Sequence, residues 1–159
     1  QYMHNLTAAE FAPLMQPILK ANGIEVSDER AGNAAEIMKE RMTLTTDMWD
    51  LTSFFFVAPA EYEEKLAKKQ WKGTNPEMLG ELRGVLEAID DFSKENTEAV
   101  VRAWIEQKEL GLGQVMNTLR LALVGAGKGP GMFDVTEFLG KEETLKRIDA
   151  IIANLKPME

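Results

Sequence analysis

The chain has 159 residues, 45% apolar and 28% charged, with 26 Asp and Glu against 18 Lys and Arg and a formal charge of −8. Those values fit one domain or two small lobes and exclude a disordered polymer. The acidic excess argues against the broadly basic face on which non-specific nucleic-acid binding rests, and the lack of cysteine excludes disulfides and thiolate metal sites and suits a reducing cytoplasmic setting.

No run approaches the ~18 apolar residues of a membrane span, and Phe54-Phe55-Phe56-Val57-Ala58 ends at Pro59. Gln1-Tyr2-Met3-His4-Asn5 has neither the basic start nor the apolar stretch of a signal peptide, and a chain opening on Gln1 is expected to be processed or cut from something larger.

Apolar spacing is helical nearly throughout. Thr7 and Glu10 form a capping box, with Leu6 and Phe11 as its hydrophobic staple. Phe11, Leu14, Met15, Ile18 and Leu19 then follow helical spacing to Asn22-Gly23. Pro13 and Pro17 each remove an interior N–H, so a kink or two short pieces is expected there. Ser27, Asp28 and Glu29 open a second helix with Ala31, Ala34, Ala35, Met38 and Met42 inward. Thr45 or Thr46 caps a third carrying Met48, Leu51, Phe55 and Phe56. Glu61/Lys65 and Glu64/Lys68 are i,i+4 pairs on a further solvated helix.

Trp71-Lys72-Gly73-Thr74 breaks the pattern and divides the chain into a first lobe, 1–70, and a second, 71–159. Asn75-Pro76 restarts it, with Asn75 as N-cap and Pro76 at the first helical position. Met78, Leu82, Val85, Leu86 and Ile89 mark that helix, and Val100, Val101, Trp104 and Ile105 the next, ending near Gly111. Val115, Met116, Leu119 and Leu123 lead to the loop from Gly125 to Gly131. Met132, Val135, Phe138 and Leu139 precede a stop at Gly140, and Leu145, Ile148, Ile151, Ile152 and Leu155 mark the last helix. No period-2 strand or long repeat is evident, so the expected class is all-α, a bundle of two packed helical lobes.

Catalytic constellations are missing. His4 is the only histidine, and one histidine without cysteine builds no triad, HExxH site or zinc site; it is read as an ordinary residue. In the glycine loop, Lys128 is followed by Gly129 and preceded by a helix, so neither a P-loop nor a dinucleotide fingerprint fits. Two readings of that loop stay open: a helix C-cap with a tight turn, or a backbone approached closely by a partner. Asp90-Asp91 reads as a solvated helix end, and Phe54-Phe55-Phe56, Trp49, Trp71 and Trp104 as core rather than a base-stacking platform.

The run Gly113-Gln114-Val115-Met116-Asn117-Thr118-Leu119-Arg120-Leu121-Ala122-Leu123-Val124-Gly125 is more specific. It is followed by Gly129-Pro130-Gly131-Met132-Phe133-Asp134 and by Leu139-Gly140-Lys141-Glu142. Together these resemble the end of bacterial glutamyl-tRNA synthetases, with their Pro-Leu-Arg-x-Ala-Leu-Thr-Gly run, Pro-Gly-Leu-Phe-Glu and Leu-Gly-Lys-Glu. Tyr2-Met3, the Leu6 to Pro17 segment, Glu40-Arg41-Met42-Thr43-Leu44 and Phe54-Phe55-Phe56 extend the resemblance over essentially the whole chain.

The resemblance implies a two-lobed helical cage for the anticodon loop of glutamate tRNA. It also implies a partner in cis, a Rossmann-type N-terminal catalytic domain that holds ATP, magnesium and glutamate. The two class I signatures of that domain are absent from this sequence. No cofactor, membrane contact or aminoacylation activity is therefore expected of the chain alone, and it is expected to be a monomer. Anticodon bases are single-stranded and can be read on their Watson–Crick edges without a globally basic module.

By the same resemblance, Arg41 faces the third anticodon base, where a donor-only guanidinium matches the acceptor edge of cytosine and disfavours guanine. Arg30 is another arginine on that lobe. Arg120 lies near the first base, and Gly129, Pro130 and Met132 enclose the first and second. Thr118 stands where the family has Pro, Val124 where it has Thr, and Gly129 where it often has Thr. At Gly129, then, only backbone is left to make contacts. The competing reading is a helical protein-interaction module without RNA binding, which the acidic charge favours.

Overall fold

The computed structural model of the chain describes residues 6–41, 48–127 and 129–157. These form eight α-helices and one short 3-10 turn, with no β-strand among the described residues. The class is all-α, as the periodicity implied. His4, the cap at Thr45 or Thr46, Met42 and Lys128 lie outside the described residues. The chain divides into two compact units, Gln1–Val57 and Ala58–Glu159.

In the first unit, α1 (Ala8–Ala21) opens on the expected capping box. The Glu10 N–H donates to Thr7 Oγ1 at 3.3 Å and the Thr7 N–H to Glu10 Oε1 at 3.0 Å. Leu6, Phe11, Met15 and Leu19 are buried, so the staple residues face inward, whereas Leu14 of the expected stripe is exposed and Ile18 half-buried. The helix runs unbroken through its prolines, so it does not split into the two short pieces that were one of the expectations. Pro13 and Pro17 are four residues apart on the exposed face, where the carbonyls they leave without amide partners meet water. Its C-terminus closes by an Ile24 N–H bond to Leu19 O and a Gly23 N–H bond to Lys20 O, satisfying carbonyls the helix itself cannot.

Helix α2 (Asp28–Met38) is capped by Ser27, whose Oγ accepts from the Arg30 N–H, and buries Ala31, Ala34, Ala35 and Met38. It packs closely on α1. Gly32 lies against Ala8, where an added Cβ would sit 2.0 Å from the Ala8 carbonyl oxygen. Glu36 accepts the Ala8 N–H at 3.0 Å, placing a carboxylate at the electropositive start of α1. A 3-10 turn, Lys39–Arg41, continues α2. Helix α3 (Met48–Phe56) buries Met48, Thr52, Phe54 and Phe55. The expected stripe included Leu51 and Phe56 instead, and both are only half-buried. Thr52 is accommodated because its hydroxyl donates to Met48 O at 2.7 Å. Phe54 and Phe55 pack with ring centroids 4.4 Å apart and are core as expected, while Phe56 and Trp49 are half-buried.

In the second unit, α4 (Glu64–Gln70) packs on α7 (Leu112–Leu123). It carries the expected Glu64–Lys68 pair at 2.7 Å, whereas Glu61 precedes the helix. Dividing the lobes at residue 70 assigned this helix to the first lobe. The compact units place it with the later helices, because Ala67 and Gln70 are buried and the Glu63 N–H donates to Gly125 O at 2.7 Å. Trp71 is core as expected, 1% exposed, and its indole N–H donates to Leu155 O at 2.8 Å.

Helix α5 (Asn75–Glu87) begins one residue earlier than expected. Asn75 is no cap: it is buried, donating to Gln70 O and accepting from Gln114 Nε2. Helices α5, α6 (Lys94–Lys108), α7 and α8 (Met132–Asn154) form a cluster around Leu79, Leu82, Leu86, Val101, Leu119 and Ile148, with Trp104 in the same core. Helix α8 breaks at the expected glycine. Gly140 takes φ 82° and ψ 165°, a conformation closed to other residues without strain. The break brings the Lys141 ammonium onto Glu87 O and Ile89 O, at 3.1 and 2.7 Å, where it closes the carbonyl end of α5.

Candidate nucleic-acid interface

Arg120 lies in the last turn of α7, half-buried, and its Nη1 donates to Pro130 O at 2.8 Å. The helix end that carries it is held from behind. Arg147, 2% exposed, donates from Nη1 to Leu123 O and from Nε to Glu143 Oε2, both at 2.8 Å. Burial pushes the Arg147 guanidinium below its ordinary pKa, and Glu143 opposes that shift. A charged donor at the carbonyl end of α7 satisfies an orphan acceptor and complements the helix dipole.

The loop after α7 is set by Gly125, at φ 83°. A Cβ here would lie 2.7 Å from Pro59 Cβ and 3.0 Å from Glu61 O. The glycine's close approach is therefore made to the chain's own 59–63 segment, and at Gly125 the loop serves as a helix C-cap and tight turn. Gly129 is half-buried with φ 106°, and Pro130 is buried with its carbonyl engaged by Arg120. Gly131 then starts α8.

Helices α6 and α7 and the start of α8 border an open cavity of about 410 Å3. That is within the usual range for a small-ligand site, roughly 300–1,000 Å3. Its walls are Lys94, Glu98 and Arg102 from α6, Met116 and Arg120 from α7, and residues 131–134. Three cations and two carboxylates line it, in a chain that is acidic overall. Lys94 pairs with Asp134 at 3.0 Å, and hydrogen bonding to that carboxylate raises the ammonium's pKa above its ordinary value. The Arg102 Nε donates to Glu98 Oε2 at 2.8 Å. Both pairs are largely exposed and so contribute little to stability.

The structure thus brings Arg120, Pro130 and Met132 together. Met132 lines the cavity but is only 3% exposed, so it forms a packed floor. Arg41 ends the 3-10 turn of the first unit and is exposed. The sequence reading missed Lys94, Glu98, Arg102 and Asp134. Asp134 stood in the run that carries the resemblance without being given a role, and the i,i+4 spacing of Lys94, Glu98 and Arg102 does not point toward α7. Among the described residues no group of His, Cys, Asp and Glu is placed to hold a metal ion. No helix among them is long and apolar enough to cross a membrane.

A family model described as an anticodon binding domain matches residues 10–152. The chain belongs to the anticodon-binding domain family. Within that family it is 51% identical over 156 residues to a glutamate–tRNA ligase of Phocaeicola vulgatus, and 46% identical over 155 residues to one of Parabacteroides distasonis. Each match covers 98% of this chain and 31% of the relative, so the chain spans about a third of the length of the curated relatives it matches. A crystal structure of a glutamate tRNA ligase from Elizabethkingia meningosepticum, in complex with its amino acid, superposes with a TM-score of 0.90 at 38% identity. It covers 98% of this chain and 31% of that one. The fold is therefore that of an anticodon-binding domain, similar to part of a glutamate tRNA ligase.

Proposed function

We propose that this chain is the anticodon-reading region of a glutamate–tRNA ligase and recognises glutamate tRNA without performing chemistry itself. In the whole enzyme, an N-terminal catalytic domain of the same chain would bind ATP, magnesium and glutamate. The observation that carries the reading is the Arg120 cavity, a cation-lined recess at the end of α7 in a member of the anticodon-binding family. An arginine beside such a recess offers donors to the edge of an unstacked base, and the packed Met132 offers an apolar surface to its face. Arg41 supports the reading from the first unit, as an exposed guanidinium able to meet the acceptor edge of the third base. The cytoplasm is the proposed setting and a monomer the proposed state.

Binding of the chain to the anticodon stem-loop of glutamate tRNA tests this, measured at low and moderate salt beside a glutamine stem-loop and a loop with an exchanged anticodon. Preference for the glutamate anticodon is the expected result. Equal affinity for all three, or none for any, counts against anticodon reading. The second of these would favour a protein-interaction module, the reading that the charge of −8 supports.

A further inference from the structure

We propose that Arg102 is a second RNA-contacting arginine, one that binds the phosphodiester backbone of the strand whose base occupies the cavity beside Arg120. The proposal rests on the anticodon-reading function given above and adds a residue and a contact type to it.

Arg102 and Arg120 come from different helices, α6 and α7, and line one cavity. Their roles differ in what surrounds them. Arg120 is half-buried and tied to the loop through Pro130 O, which fixes its direction. Arg102 has a side chain 53% exposed and is held by one hydrogen bond, from Nε to Glu98. Its two terminal amino groups have no bond to any described residue, and they form the face of the guanidinium that matches a phosphate bidentately. An exposed, planar, permanently charged fork at the rim of a base-sized recess suits a backbone phosphate. The recess itself, floored by Met132, suits a base.

The neighbouring charges narrow the choice to Arg102. Lys94, the other α6 cation that lines the cavity, is engaged by Asp134 at 3.0 Å and lies beside Glu95 and Glu98 as well. It therefore presents little net positive charge to an anion. Arg102 faces one carboxylate, Glu98, 35% exposed, and an exposed i,i+4 pair of this kind is worth only tenths of a kcal/mol and is readily exchanged for a phosphate. Glu98 also repels the RNA backbone, whichever base lies beside Arg120.

The test is titration of the chain with the glutamate anticodon stem-loop and with the exchanged-anticodon loop, at several salt concentrations. Arg102→Gln is expected to weaken both loops by the same factor, roughly tenfold at low salt, the scale of a hydrogen bond to a charged group. The slope of log affinity against log salt should fall by about 0.7, the value for one phosphate on a single strand. Glu98→Gln is expected to tighten both loops severalfold, an effect that a folding defect does not produce.

Unchanged affinity and slope in Arg102→Gln would make Arg102 a helix-surface residue and overturn the proposal alone. Loss on the glutamate loop only would make it a base reader and overturn it as well. Failure of the unaltered chain to bind either loop would overturn the anticodon-reading function together with this assignment.

Discussion

Alanine in place of glycine should have opposite effects in two helices of this chain, and the space around each glycine decides the sign. Within a helix the exchange is intrinsically favourable by about 0.5–1 kcal/mol, because glycine loses more backbone freedom on folding. Gly80 and Gly84 lie on the exposed face of α5, and an added Cβ meets nothing within 4 Å at either. Each substitution there should stabilise by about the propensity difference.

At Gly32 the same methyl group would sit 2.0 Å from Ala8 O, 2.7 Å from Ala8 C and 3.2 Å from Ala8 Cα. These are backbone atoms and cannot rotate away, so α1 and α2 must separate. Overpacking of this kind costs roughly 1–3 kcal/mol, and often more against backbone. Separation also stretches the bond from the Ala8 N–H to Glu36, worth about 1.5–3 kcal/mol when made to a charged group. With the propensity gain subtracted, Gly32→Ala should destabilise the first unit by about 2–4 kcal/mol. Urea unfolding followed by far-UV circular dichroism reads this directly, as a midpoint lowered by at least about 0.7 M at m-values near 1–3 kcal/mol/M. A Gly32→Ala chain as stable as its parent, or one gaining as much as Gly80→Ala, would refute the close approach of α2 to Ala8.

Three further outcomes are expected. Arg147→Met leaves Leu123 O without its buried donor and Glu143 without its partner; the loss should be about 2–4 kcal/mol, discounted because Glu143 is partly solvated, and is measured by denaturant unfolding. Arg120→Ala should cost about 1–3 kcal/mol of discrimination between the glutamate anticodon and its exchanged counterpart. An equal loss on both loops would make it a structural or phosphate residue. Arg41→Gln in the full ligase should relax discrimination against glutamine tRNA, and an unchanged ratio of charging rates for the two tRNAs would remove its proposed role.

Local signals were the legible ones. The Thr7–Glu10 box, the Ser27 cap and the glycine that stops the helix after Leu139 each depend on residues within a few positions, and each formed as its spacing required. What the sequence hid was set by partners distant in the chain. Asn75 reads as a cap until Gln114 and Gln70 O are seen to enclose it. Arg147 reads as one more cation of a basic helix, since nothing nearby reveals that Leu123 O, 24 residues earlier, needs a donor. Pro13 and Pro17 read as breakers because the rule concerns a lost amide, while the exposed face that tolerates the loss is a tertiary fact. The cavity was half legible. Arg120 stood out by resemblance, whereas Arg102 reaches the cavity only because α6 and α7 both pack in the cluster around α8.

The Leu-Gly-Lys-Glu run that helps identify the family also has a plain structural use, with Gly140 breaking α8 and Lys141 closing α5. Residues that make the chain recognisable are thus partly separate from those lining the recess, so changes at the recess can leave that frame in place.

The loop after α7 is tethered at three carbonyls: Leu123 O by Arg147, Gly125 O by the Glu63 N–H and Pro130 O by Arg120. Fixing a residue's backbone costs about 1–2 kcal/mol of entropy, and at these tethers that cost is met when the domain folds rather than when a ligand arrives. A strand docking here meets a ledge already in shape. Calorimetry of such an association should therefore show a small negative heat-capacity change, set by the apolar area covered, without the large component that accompanies folding on binding.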